Sequence, residues 1–133
     1  MIAAPFDFAD WLVRYGNAWT GRDAEAVCRL FSPEAAYYET PFDPPMTGTA
    51  AIRRYWTDGA VNGQRDVVFA ATPLTIDGRT GFAHWRATFR RATSNTLVEL
   101  EGILSARFDE TGRCAEFREW WHRRETPAEE SQA

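Results

Sequence analysis

At 133 residues and a net charge of −4, this chain has the length of one domain and can bury roughly two-thirds of its unfolded surface. The acidic balance, with no dominant basic face, excludes a protein that tracks nucleic-acid phosphates. All 15 cationic residues are arginine, which also excludes a lysine Schiff base and a phosphate-loop lysine.

Hydrophobic residues make up 44% of the chain and aromatics 14%, so a sizeable core or an aromatic-lined cavity is expected. Cys28 and Cys114 have no metal-type neighbours and form no CxxC, which reads as reduced thiols. The Met1–Pro5 segment is too short for a signal peptide, and no apolar run reaches membrane length. A soluble, cytoplasmic protein with no membrane and no nucleic-acid partner is the expectation.

In chain order, residues 6–20 space Phe8, Trp11, Leu12, Tyr15 and Trp19 by three or four, which predicts an amphipathic helix. Gly21 stops it, and Asp23 caps a second helix with Ala26, Val27, Leu30 and Phe31 facing inward. Pro33 ends that helix, and Ala36–Glu39 reads as a strand with Tyr37 and Glu39 on one face. After the Pro41–Pro45 turn, Thr49 caps a third helix through Ile52, Tyr55 and Trp56, closed by Gly59 and Gly63.

From Arg65 the period becomes two, with turn signals at Asp77-Gly78, Ser94-Asn95 and Thr111-Gly112, giving four strands. Trp85, Ala87 and Phe89 fall opposite Arg86, Thr88 and Arg90. Leu100, Gly102, Leu104 and Ala106 fall opposite Glu99, Glu101, Ser105 and Arg107, so arginine–glutamate pairs are expected across the outer face. In the last strand Phe117, Glu119 and Trp121 alternate with Glu116, Arg118, Trp120 and His122. The composition implies a single domain over residues 1–125 and a disordered tail over 126–133.

This order, the segment LFSPEAAYYETPF…GTAAI and the closing RFDETGRCAEFREWW resemble the SnoaL-like branch of the nuclear-transport-factor-2-like superfamily. The resemblance implies an α+β cone: three N-terminal helices packed on a strongly curved, mainly antiparallel β-sheet that encloses a pocket. It also implies a homodimer through the outer face of the sheet, to which an outward Trp120 would belong. Compared with ketosteroid isomerases, the catalytic tyrosine falls on Tyr15 and the general base on Glu39. Their pocket aromatics fall on Tyr55, Trp56 and Trp121. Leu104 stands where that family has a second oxyanion donor, and Glu119 where it has a small residue.

The candidate catalytic groups are therefore Glu39, Glu119 and Tyr15. The expected pocket lining is Trp19, Tyr37, Tyr55, Trp56, Trp85, Phe89, Leu104, Phe117 and Trp121. Two carboxylates in an aromatic cavity can divide into a base and a protonated acid, because like charges push their pKa values apart. With a tyrosine donor they suit proton abstraction beside a carbonyl, dehydration or cyclisation. None of these reactions needs a cofactor, and neither His84 nor His122 has metal-ligand spacing. The expected reading is a cofactor-free isomerase, lyase or cyclase acting on a small apolar or aromatic carbonyl ligand.

Two other readings stand beside it. One is a non-catalytic ligand-binding or dimerisation module whose acids are neutralised by arginine; for Glu119, that partner would be Arg86 or Arg118. The other is epoxide hydrolysis, which needs an inward arginine near Glu119 that strand parity does not offer.

Overall fold

A computed structural model describes residues 7–131, so residues 1–6, with Phe6 among them, and the last two residues lie outside the described residues. Helix α1 spans Phe8–Thr20, with Asp7 as its N-cap accepting a 3.0 Å hydrogen bond from the Asp10 amide. Its apolar stripe, Phe8, Trp11, Leu12, Tyr15 and Trp19, is buried. The left-handed residue after the helix is Arg22 (φ 51°) rather than Gly21, and its guanidinium bonds the Gln64 carbonyl at 2.9 Å.

Helix α2 is short, Ala24–Cys28, and Asp23 caps it as expected. Strand β1 then runs Phe31–Tyr38, starting before Pro33 instead of after it. The pairing of β1 shifts register between Phe31 and Ala36, an irregularity that admits a residue without an N–H. Strand β2 is only Met46–Thr47, and helix α3 covers Thr49–Trp56. Its cap position is Gly48, not Thr49. The φ of 88° there suits glycine, and no side chain caps the helix. A π-helical turn, Thr57–Val61, carries the chain onward.

Four long strands follow: β3 (Gln64–Asp77), β4 (Thr80–Arg91), β5 (Leu97–Phe108) and β6 (Cys114–Thr126). The three expected turns each contain a positive-φ residue, namely Gly78, Asn95 and Gly112. The six strands form one curved, unclosed sheet in the order β2-β1-β6-β5-β4-β3. Every pairing is antiparallel except β1 with β6. Beyond β6 the chain forms one helical turn, α4 (Ala128–Ser131), within the segment read from sequence as a tail. No described helix is long and apolar enough to cross a membrane.

One end of the cone is plugged. Trp11 meets Phe31 and Phe108 edge-on at 5.7 and 5.5 Å, stacks on Tyr15 at 5.2 Å, and donates its indole N–H to the Leu30 carbonyl at 3.1 Å. Phe117 lies beneath Tyr37, ring centres 4.7 Å apart. At Gly102, paired with Trp121, a Cβ atom would overlap the main-chain carbonyl of Trp120, so β5 and β6 approach there as only glycine permits.

On the convex face the expected charge pairs form. Arg124 holds Glu99 through two bonds of 2.8 and 2.9 Å, and Glu101 accepts from His84 at 2.8 Å and lies 3.4 Å from Arg86. Trp120 is 45% exposed and is paired in register with Ile103, which is also exposed.

Candidate functional site

The open end of the cone holds a cavity of about 190 Å³. Tyr15 and Trp19 reach it from α1, Tyr37 from β1, Glu39 from the bend after β1, and Tyr55 and Trp56 from α3. Phe89, Val98, Leu100, Glu119 and Trp121 line it from the sheet. All three expected catalytic groups thus face one space.

Glu39 is held at two points. Tyr55 donates its hydroxyl to Glu39 Oε2 at 2.7 Å, and the Trp121 indole N–H donates to the Glu39 carbonyl at 3.3 Å. Tyr15 and Tyr37 share a hydrogen bond of 2.9 Å between their hydroxyls. Burial first, and then the Glu119 carboxylate, push both hydroxyls well above the ordinary tyrosine value, so both stay protonated.

Glu119 is only 8% exposed. Its neighbour across the β5–β6 ladder is Leu104, which offers no hydrogen bond. Arg118 turns away to Glu116 at 2.7 Å and lies over the Tyr38 ring, while Arg86 faces Glu101. Neither arginine neutralises Glu119, and no described residue makes an ion pair with it. Burial first, and then Glu39, raise the Glu119 carboxyl well above the ordinary glutamate range. The cavity therefore contains a buried carboxyl group that burial and its neighbour make harder to ionise, and a second carboxyl group tethered by a tyrosine.

Three expected lining residues lie elsewhere. Trp85 is covered by Trp19 and Phe69, at 6.0 and 6.2 Å between ring centres, and Leu104 and Phe117 are fully buried behind the cavity wall. Strand alternation tells which face a side chain takes, but not how deep in the cone it sits.

Sequence reasoning also missed Gln64, Arg91 and Arg123, all of which line the cavity. Gln64 accepts the Trp19 indole N–H at 2.7 Å. Both arginines face inward at the far reach of β4 and β6, although neither sits beside Glu119, the place where an inward arginine was sought. They simply continue the inward alternations Trp85, Ala87, Phe89, Arg91 and Phe117, Glu119, Trp121, Arg123. A signal was present two residues beyond where each alternation was read.

The SnoaL-like domain family model matches residues 12–117, most of the folded chain. The chain belongs to the SnoaL-like family. No curated protein matches this SnoaL-like protein in sequence. Among solved structures it is similar to SalBIII, an epoxide hydrolase/cyclase-like enzyme in pyran ring formation in the polyether salinomycin. That match has 16% identity and a TM-score of 0.75, covering 86% of this chain and 89% of that one. A computationally designed 17-OHP binder matches at 12% identity and a TM-score of 0.77, over 89% and 96% of the two chains. A candidate isomerase from Bacillus subtilis matches at 19% identity and a TM-score of 0.72, over 86% and 85%. At such identities the likeness is one of fold.

Proposed function

We propose that this SnoaL-like protein is a cofactor-independent isomerase, lyase or cyclase acting on a small apolar carbonyl compound, with Glu39 as general base. The observation that carries the reading is Glu119: a buried carboxyl without a cationic partner, facing the same cavity as Glu39. A structural glutamate is usually paired when buried, because an unpaired one is costly. A group held protonated beside a second carboxylate is instead suited to donate.

In this mechanism Glu39 takes the proton from the carbon next to the carbonyl. The C–H electron pair becomes the new C=C bond, and the carbonyl π pair moves onto oxygen. That oxygen receives a hydrogen bond or the proton itself from Glu119, with the Tyr15 hydroxyl as the second donor. Return of a proton to a different carbon completes an isomerisation. Loss of a β-substituent completes an elimination, and attack on a second carbonyl closes a ring. The aromatic walls select a flat, apolar body.

The test uses 2-tetralone, a bicyclic ketone, in D₂O, following loss of its α-proton NMR signals. Exchange is expected to exceed that in buffer and to fall by roughly 10²-fold or more in Glu39→Gln, the usual contribution of a general base. If the ketone binds without accelerated exchange, the cavity is a binding site only. A loss below about tenfold in Glu39→Gln removes its role as base.

Epoxide opening is the second reading, favoured by the same pair of carboxyl groups facing one cavity. There Glu119 would protonate the epoxide oxygen while Glu39 deprotonates the attacking water or hydroxyl. A styrene oxide hydrolysis assay distinguishes it from enolate chemistry.

A homodimer through the convex face accompanies the proposal, with Trp120 and Ile103 at its centre. Sedimentation analysis is expected to show a dimer that Trp120→Glu converts to a monomer; an unchanged sedimentation coefficient would assign the contact elsewhere.

A further inference from the structure

The cavity has a second polar end that the proposed chemistry leaves unused. Arg91 closes β4 and Arg123 lies in β6, and both converge on Glu125. Arg91 binds it through Nε at 3.1 Å and Nη2 at 2.8 Å, and Arg123 approaches through Nε at 3.2 Å. Two guanidinium groups share one carboxylate, so the cluster keeps a net positive charge. Both arginines line the cavity, and about half of the Arg123 side chain is exposed.

Among the described residues, Glu125 is the only carboxylate bonded to either arginine, and the terminal nitrogens of Arg123 have no protein acceptor. Its guanidinium carbon lies 6.0 Å from the ring of Trp121, itself part of the cavity wall. Along β6, Arg123 lies four positions beyond Glu119, roughly 13 Å at ~3.3 Å of rise per residue. Trp121 lies between them, and Leu100, Val98 and Phe89 continue the apolar wall beside and beyond Arg123.

We infer that this cluster is an anion-binding subsite, and that the cavity's ligand is a flat apolar compound carrying a carboxylate at the end remote from Glu119. The inference rests on the reading of the cavity as a ligand site and adds the charge and polarity of the ligand. A guanidinium fork presents two parallel donors to a planar carboxylate, which a point charge would not. Glu125 holds the two arginines in place and competes with the ligand for them. Removing Arg123 and removing Glu125 must therefore move affinity in opposite directions.

The experiment is calorimetric titration of the intact protein with 2-naphthoate and with its neutral isostere 2-naphthamide, at low ionic strength and in 0.5 M NaCl. Naphthoate is expected to bind about three- to tenfold tighter than the amide at low salt, and the gap to shrink in high salt. Arg123→Gln should erase that gap while leaving naphthamide affinity unchanged, which also shows that the variant is folded. Arg123→Lys should restore part of it, and Glu125→Gln should tighten naphthoate alone. Equal affinity for the two probes, or an Arg123→Gln loss shared by both, overturns the anion subsite while the cavity stands as a neutral-ligand site. If neither probe binds, the ligand-site reading falls and the subsite with it.

Discussion

Tyr55 donates its hydroxyl to Glu39 Oε2 at 2.7 Å, so the carboxylate fronting the cavity is tethered from the helix opposite β1. The bond fixes which oxygen lone pairs remain for a substrate proton. In the proposed mechanism Tyr55 is thus a positioning residue, not a base.

Tyr55→Phe keeps the ring against Tyr37, whose centre is 5.3 Å away, and removes only the tether. Exchange of 2-tetralone α-protons is expected to slow about tenfold, the scale of one hydrogen bond to a charged group. The loss should fall in kcat with KM held, because the phenyl wall is intact. A pure KM effect would make Tyr55 a wall residue only.

Glu119 ties activity and stability to pH with a definite sign. Its folded-state pKa is raised by burial and by Glu39, so the folded protein holds the proton more tightly than the unfolded chain does. Stability must then fall as pH rises above the ordinary glutamate value near 4.5, until the raised folded pKa is passed. Glu119→Gln removes that penalty. The variant should melt above the wild type at pH 8, and the difference should shrink toward pH 4.5; roughly 1 kcal/mol corresponds to about 4 °C in a domain of this size. Activity should decline at alkaline pH in the wild type as the acid is lost. Identical melting curves at pH 8 would mean that Glu119 has found a cation.

Asp109 has the opposite linkage. Burial works against its charge, but hydrogen bonds from Ser32 Oγ, from the Thr111 hydroxyl and amide and from the Arg113 amide prevail and hold it at about 2. The stability it contributes is complete above its ordinary value of 3.8 and disappears as pH falls through about 2. Asp109→Asn is accordingly expected to lower the urea midpoint at pH 7, with the deficit narrowing between pH 4 and pH 2. A deficit independent of pH would point to packing of the β5–β6 turn instead of charge.

Gly102→Ala is the sharpest test of the sheet geometry. The added methyl would overlap main-chain atoms of β6, which cannot step aside as a flexible side chain can. Destabilisation beyond about 2 kcal/mol is expected from urea unfolding, of the order seen when backbone must shift. A loss under about 0.5 kcal/mol would show that the two strands can part without harm.

Much of this architecture was legible in the chain. Trp11, Tyr15 and Trp19 repeat at helical spacing, and the Gly78, Asn95 and Gly112 turns mark the hairpins, because these are local preferences. The start of β1 was hidden because Pro33 reads as a helix stop, whereas a register shift accommodates it in the strand. That Glu39, Glu119 and Tyr15 share one cavity followed from position and alternation. Trp85, Leu104 and Phe117 were misplaced because depth along the cone depends on which strand α1 covers, a tertiary property. Arg91 and Arg123 needed only the same alternation carried one step further.

The pairing of β1 with β6 has a kinetic consequence. The Trp121 indole reaches the Glu39 carbonyl across 82 positions of chain, and the parallel ladder beside it joins residues equally remote. Loop closure of that length comes late and slowly, since its entropy must be met before any contact rewards it. The helices and the β3–β5 meander can form from neighbours alone. Glu39 and Glu119 meet only when the last strand docks, so a chain still emerging from the ribosome completes its cavity last.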